Sequence, residues 1–236
     1  MQNTSLRINA KSLRDEIVEA LQRAIIFGTY KPGAPLVERE LAEQFGVSSI
    51  PVREALQELE SRGLVTKRPN YSCCVIELTA EELNQMFELR ALLEPQVLQW
   101  AGERMNAAQA ASLQPLVDDL RRAAEANDFA QYFYQDLRLH RRIWELSGNR
   151  YAAQALEKTV LPLFAFGLMR DHHADKIDLK QEVKKHEQMV QALCKGQGER
   201  AATALLHIAK GFETHVRVDA QSESPVKKPR QPQKKP

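Results

Sequence analysis

The chain has 236 residues, with 33 Lys and Arg against 31 Asp and Glu, for a formal net charge of +2. A hydrophobic content of 43% with 27% charged residues describes a globular protein that buries a core, which excludes a wholly disordered chain or one embedded in a bilayer. Sparse glycine and few aromatic residues lean toward an all-helical fold, and so small a net charge does not announce a nucleic-acid partner.

From Ser12 to Phe27 the apolar residues Leu13, Ile17, Leu21, Ala24 and Ile25 recur at helical spacing, and Gly28 ends the pattern. KPGAP (31–35) is a turn cluster, and VERELAEQFG (37–46) is a short helix closed by Gly46. Pro51 is the key to the next segment. A prolyl ring fixes φ near its helical value and lacks a backbone donor, so it belongs in the first turn of a helix. The spacing predicts a helix over 49–62, closed by Gly63, with Val52, Leu56 and Leu59 inward and Arg53 exposed near its start. LVTKRPNYSCCVIEL (64–78) then carries β-branched residues on both sides of a Pro-Asn-Tyr-Ser turn, the pattern of a short hairpin. Helix, helix, turn, helix, hairpin is the order of a winged helix-turn-helix, which assigns residues 1–78 to a DNA-binding domain. Residues 1–76 hold ten Lys and Arg against nine Asp and Glu, so DNA binding requires the basic residues to be sorted onto one face. Arg39, Arg53, Lys67 and Arg68 are positioned for that face.

Thr79 and Glu82 form a T-x-x-E capping box that opens a long helix, in which Pro95 predicts a bend or a join. Further helices are expected at 109–125, 128–147, 150–170, 178–195 and 197–217. Residues 79–218 thus read as an all-helical bundle, and the fold class as mainly α. The Pro- and Lys-rich tail at 219–236 has little to bury and is expected to be disordered. Its last sixteen residues carry a net +4, leaving −2 on the rest of the chain.

Several polar residues fall on apolar faces of this bundle. Phe129, Phe133, Asp136, His140, Ile143 and Ser147 follow one stripe, so a carboxylate and an imidazole one turn apart face the core. His186 shares a face with Val183, Val190 and Leu193. On the last helix His207 and His215 are rivals for an inward position. Single inward histidines are commonly hydrogen-bonded core residues, but three helices each turning one inward point to a shared metal site. Mixed nitrogen and oxygen ligation suits Zn²⁺, Ni²⁺ or Mn²⁺ without choosing among them. Arg90 lies on the buried stripe Leu83, Arg90, Val97, with Glu94 one turn away. An internal ion pair with Glu94 is the favoured reading, and a bound carboxylate matching the guanidinium fork is the sharper alternative.

Together these residues resemble the GntR family of bacterial transcription regulators, in the FadR-like branch with an all-helical FCD effector domain. The resemblance runs from about residue 11 to 217. It is carried by KPG-x-x-L (31–36), ERELAEQFGVS (38–48), PVREAL (51–56), the GLV at 63–65, the LRALLE run (89–94), D-x-x-x-H (136–140), SGN (147–149), His186 and His207. It implies a homodimer that reads palindromic double-stranded operator DNA, with a small carboxylate effector held in the bundle beside a divalent metal. Metal-binding members look similar at Asp136, His140, His186 and His207, which selects His207 over His215, and Arg90 becomes the effector-binding candidate. The chain departs from the pattern after GVS. The family usually has Arg and then Thr or Ser before PVRE, whereas Ser49 and Ile50 stand here, so the operator is expected to differ from the usual one. The wing also lacks the usual glycine near Ser72. DNA contacts are expected from Arg39, Ser49, Ile50, Arg53, Lys67 and Arg68, and repression is the default sign of regulation.

Two other readings share these residues. Asp136 with three histidines would also suit a metal-dependent hydrolase, although no separate general base or nucleophile accompanies them. A constitutive DNA-binding protein with a purely structural polar core would need no metal. Cys73, Cys74 and Cys194 form neither a zinc ribbon nor a disulfide framework, the N-terminus lacks a signal-peptide core, and VLPLFAFGLM (160–169) is too short to span a membrane. These features read as a reduced, cytoplasmic protein.

Overall fold

The computed structural model describes residues 12–68, 71–169 and 177–222. The first helix, α1 (Leu13–Ile26), is capped by Ser12, whose side chain accepts from the Asp15 amide. The short α2 (Glu38–Phe45) ends on Gly46 at φ 67°, a left-handed conformation that suits glycine. α3 (Ser49–Ser61) follows, and α1 packs across it through Ile17, Leu21 and Ile25 on one side and Val52, Leu56 and Leu59 on the other, all buried. The hairpin pairs β1 (Val65–Arg68) with β2 (Tyr71–Val75) in antiparallel register, Val65 opposite Val75. Pro35 bridges to Cys74, which ties the turn before α2 onto the hairpin. The expected turn at 69–72 lies outside the described residues at 69 and 70, as do the side chains of Tyr71 and Ser72.

Thr79 caps α4 (Ala80–Arg104) with both arms of the capping box in place. The helix runs unbroken through Pro95, so the expected join is absent. The single helix expected at 109–125 is two, α5 (Ala107–Ala111) and α6 (Gln114–Glu125). Pro115 is the reason: it is tolerated in a first turn but not further in, so it starts a new helix. The bundle is completed by α7 (Phe129–Leu146), α8 (Arg150–Met169), α9 (Leu179–Cys194) and α10 (Gly198–Ser222). α10 continues past the predicted end at 217, and residues 223–236 of the basic tail lie outside the described residues. α10 lies antiparallel along α4. Gly198 stands so close to Gln99 that a Cβ there would come within 2.8 Å of the Gln99 Cα, while Phe212 at the other end meets Phe87.

The first domain packs on the bundle, with α1 lying against α8. The Arg23 guanidinium of α1 stacks over Phe27 and over Tyr134 of α7. Gly63, just beyond α3, has φ 78° and sits against α8, where an added Cβ would fall 3.0 Å from Pro162 Cγ. Among the described residues no helix is long and apolar enough to cross a membrane.

Candidate metal centre and DNA-reading helix

α3 starts at Ser49, two residues ahead of Pro51, as the constraint on the prolyl ring requires. Its buried face is Val52, Ala55, Leu56 and Leu59. The opposite, exposed stripe is Ile50, Arg53, Glu54 and Gln57, spaced i, i+3, i+4 and i+7, and Ser49 is half-buried beside it. Arg39, Arg53, Lys67 and Arg68 are all exposed. Each stands beside a carboxylate. Arg53 Nε donates to Glu38 Oε2 at 3.0 Å, Lys67 Nζ lies 2.8 Å from Glu60 Oε2, Arg68 pairs with Glu77, and Arg39 Nε is 3.8 Å from Glu43 Oε1. These hydrogen bonds and charges raise the pKa of Arg53, Lys67 and Arg68. The Glu38 clamp and Gln57 are additions to the expected set. Gln57 was available from the helical period of α3, whereas the clamp spans fifteen residues and needs the tertiary structure.

Inside the bundle a continuous polar chain crosses the core. Arg90 Nε donates to Glu94 Oε2 at 2.6 Å, and both side chains are at most 2% exposed. Glu94 Oε1 accepts from His140 Nδ1 at 2.9 Å and from Trp144 Nε1 at 3.2 Å. An ionised carboxylate only accepts, so Nδ1 of His140 carries the proton. His186 Nδ1 donates in the same way to the Glu182 carbonyl oxygen at 2.8 Å. Both rings therefore turn Nε2 toward Asp136, whose Oδ1 lies 2.9 Å from His186 Nε2 and 3.4 Å from His140 Nε2.

These three atoms are buried and none has hydrogen-bond geometry to a partner. One ligand atom from each of Asp136, His140 and His186 lies within 4.8 Å of the others. Two imidazoles oriented by bonds at Nδ1, with a carboxylate between their Nε2 atoms, fit a divalent ion. The donor set suits zinc, nickel or manganese equally. Without an ion, burial disfavours charge on Glu94, Asp136 and His140, and the neighbours overcome it. Arg90 and His140 hold the Glu94 carboxyl down at about 2, His186 and His140 hold Asp136 well below the usual carboxylate range, and Glu94 with Asp136 raises His140 to about 9.

His207 is not part of this cluster. It is exposed and lines a shallow surface depression with Glu199, Arg200 and Thr203. The phase of α10 is the reason: Leu205, Ile208 and Phe212 form its buried stripe, and His207 lies off that stripe. The side chain of His215 lies outside the described residues. Among the described residues, the converging histidines come from α7 and α9. Arg90 makes the expected internal ion pair with Glu94. Its Nε is tied to Glu94, while Nη1 is buried with no hydrogen-bond partner, and the guanidinium lies 5.5 Å from the Phe164 ring centre and 5.8 Å from that of Phe212.

Residues 13–75 match the family described as bacterial regulatory proteins, gntR family, and residues 85–210 match the FCD domain. The chain is 34% identical over 120 residues to the HTH-type transcriptional regulator McbR of Escherichia coli K12, an alignment covering 51% of this chain and 54% of that protein. It is 26% identical over 212 residues to the galactonate operon transcriptional repressor of the same organism, covering 81% of this chain and 91% of the repressor. The solved structure of E. coli McbR/YncC superposes with a TM-score of 0.75 at 25% identity, over 89% of this chain and 98% of that one.

Proposed function

The chain belongs to the gntR family of bacterial regulatory proteins and carries an FCD domain, and from that premise we propose an operator-binding repressor governed by a small carboxylate. That it is a transcriptional regulator follows from the family, whose members are not enzymes, and the hydrolase reading falls away with it. The proposal adds the repressor sign, the carboxylate, the metal and a homodimeric assembly in the cytoplasm. One observation carries it. A partnerless, buried Arg90 Nη1 is joined through Glu94 to three converging ligand atoms, inside a chain whose first domain presents a reading helix.

The residues divide the work as follows. Ile50, Arg53 and Gln57 on α3 face base edges in the major groove, with Ser49 at the helix start. Arg39, Lys67 and Arg68 exchange their carboxylate partners for DNA phosphates, which positions the helix without reading sequence. In the bundle, Arg90 Nη1 orients a carboxylate oxygen, while Phe164 and Phe212 exclude water from the guanidinium and strengthen that bond. Glu94 fixes both Arg90 and His140 in place. Asp136, His140 and His186 would hold the divalent ion, which supplies a second anchor for the carboxylate when bound.

α8 links the two parts. Phe164 packs on Arg90 and on His140, and two residues earlier Pro162 packs on Gly63 at the end of α3. Trp144, which donates to Glu94, also lines the cleft of about 770 Å³ between α3 and the bundle, together with Arg62 and Lys158. Effector occupancy that shifts α8 or Trp144 therefore acts directly on the reading helix.

Fluorescence anisotropy with DNA from upstream of the chain's own gene, against a scrambled duplex at two salt concentrations, tests the reading. Preference for the real sequence that persists in the higher salt is the expected result. Equal binding that fades together with salt would mean phosphate contacts alone and would remove the operator from the account.

A further inference from the structure

Ile50 occupies a place where an apolar side chain is otherwise unexplained. It is the second residue of α3 and is 66% exposed. Among the described residues of the first domain no large apolar side chain is more exposed. Phe27, also exposed in part, stacks with Tyr134 and Arg23, so it has partners within the molecule. Ile50 instead heads a polar stripe continued by Arg53, Glu54 and Gln57. One apolar residue among charged neighbours does not make a protein interface, which needs an apolar centre. The N-terminal end of a recognition helix is, however, the part that meets base edges.

A sec-butyl group neither donates nor accepts a hydrogen bond. In the major groove only one base offers an apolar group, the C5-methyl of thymine. We propose that Ile50 is a specificity-determining residue that packs on a thymine methyl, placing a T·A pair within two base pairs of the base read by Arg53. The helical rise sets that distance. Three residues advance about 4.5 Å along a helix, against about 3.4 Å per base pair, so the two contacts fall within one or two base pairs of each other. The Glu38 clamp on Arg53 fixes that register, because it holds the arginine against α2 rather than leaving it to sweep the groove. This inference rests on the operator-binding reading above and adds one base identity to it.

The test begins with selection of binding sites from a random duplex library by the full-length protein and by Ile50→Ala, a surface change in a first helical turn that leaves the core untouched. The wild-type half-site is expected to contain a thymine within two base pairs of the position whose identity is lost with Arg53→Ala. Replacing that thymine by deoxyuridine removes the methyl and nothing else. The replacement is expected to weaken wild-type binding about fourfold per half-site, the worth of one buried methyl-sized group, and to leave Ile50→Ala unaffected. Equal affinity of the wild type for thymine and uracil duplexes would overturn the Ile50 assignment alone, as would a half-site with no thymine in that window. Enrichment of no half-site at all would overturn the operator-binding reading together with it.

Discussion

Glu94 and His140 are joined by a 2.9 Å hydrogen bond between helices α4 and α7, 46 residues apart in sequence, with both side chains 1% exposed. That bond does two jobs. It fixes the proton of His140 on Nδ1, so Nε2 faces Asp136, and it completes the neutralisation of Glu94 that Arg90 begins from the other oxygen. The candidate ligand set and the candidate effector residue are therefore one network, centred on a carboxylate that touches neither DNA nor solvent.

Glu94→Gln keeps the shape of that carboxylate and removes its charge. It leaves Arg90 without its ion-pair partner in the core, and breaking a buried pair in this way costs about 3–5 kcal/mol. Chemical denaturation of the variant should show a loss of that order, with metal affinity lowered roughly 10–100-fold because His140 loses its orienting partner. A variant as stable as the wild type would contradict the network.

The ligand set separates sharply by residue. His186→Ala and Asp136→Ala should lose bound metal when the protein is equilibrated with Zn²⁺, dialysed and measured by elemental analysis, and their melting temperatures should cease to rise with the ion. His207→Ala should match the wild type, since that ring lies on the exposed face of α10. Metal lost from His207→Ala and retained by His186→Ala would reverse the assignment.

Much of this site was visible in the periodicity of the sequence, and the part that was not has definite causes. Asp136, His140 and His186 are polar residues at regular inward positions of strongly periodic helices, so their burial followed from spacing. α10 is different. Spacing alone puts Leu205, Ile208 and Phe212 on one apolar stripe, and His207 is preferred to His215 only through the family resemblance, which the packing of α10 does not follow. The bonds from Glu94 to His140 and Trp144, and from Glu38 to Arg53, join distant parts of the chain and leave no local pattern. The first domain was the most legible because Pro51 and the glycines at 46 and 63 punctuate it, whereas Pro115 as the start of a separate helix went unread.

In the reading head, Glu38→Gln should loosen Arg53 without removing it. Binding to the selected operator should weaken more than binding to scrambled DNA, lowering the ratio between them. Lys67→Ala should weaken both alike and reduce the slope of log affinity against log salt by about 1, as loss of one phosphate contact does. A reversed pattern, with Glu38→Gln uniform and Lys67→Ala selective, would exchange the two roles.

The start of α4 carries a pH signature. The Thr79 backbone and side chain hold the Glu82 carboxyl below its ordinary value. A lowered folded-state pKa contributes stability that is present above the unfolded pKa, about 4.3, and lost as pH falls through the folded value. Thr79→Ala should cost about 1 kcal/mol near neutral pH, measured by denaturant titration, and the difference from wild type should shrink on acidification. A difference that grows as pH falls would contradict this cap.

The central claim is that Arg90 and the metal centre govern DNA affinity through one carboxylate. The direct measurement is operator affinity, by anisotropy, across a panel of mono- and dicarboxylates, for Zn²⁺-loaded protein, chelator-treated protein and the loaded Arg90→Lys variant. The account predicts that at least one carboxylate releases the loaded wild type from DNA and has at least tenfold less effect on the other two. Release that is indifferent to both chelation and Arg90, or a panel in which no carboxylate changes DNA affinity, would contradict it.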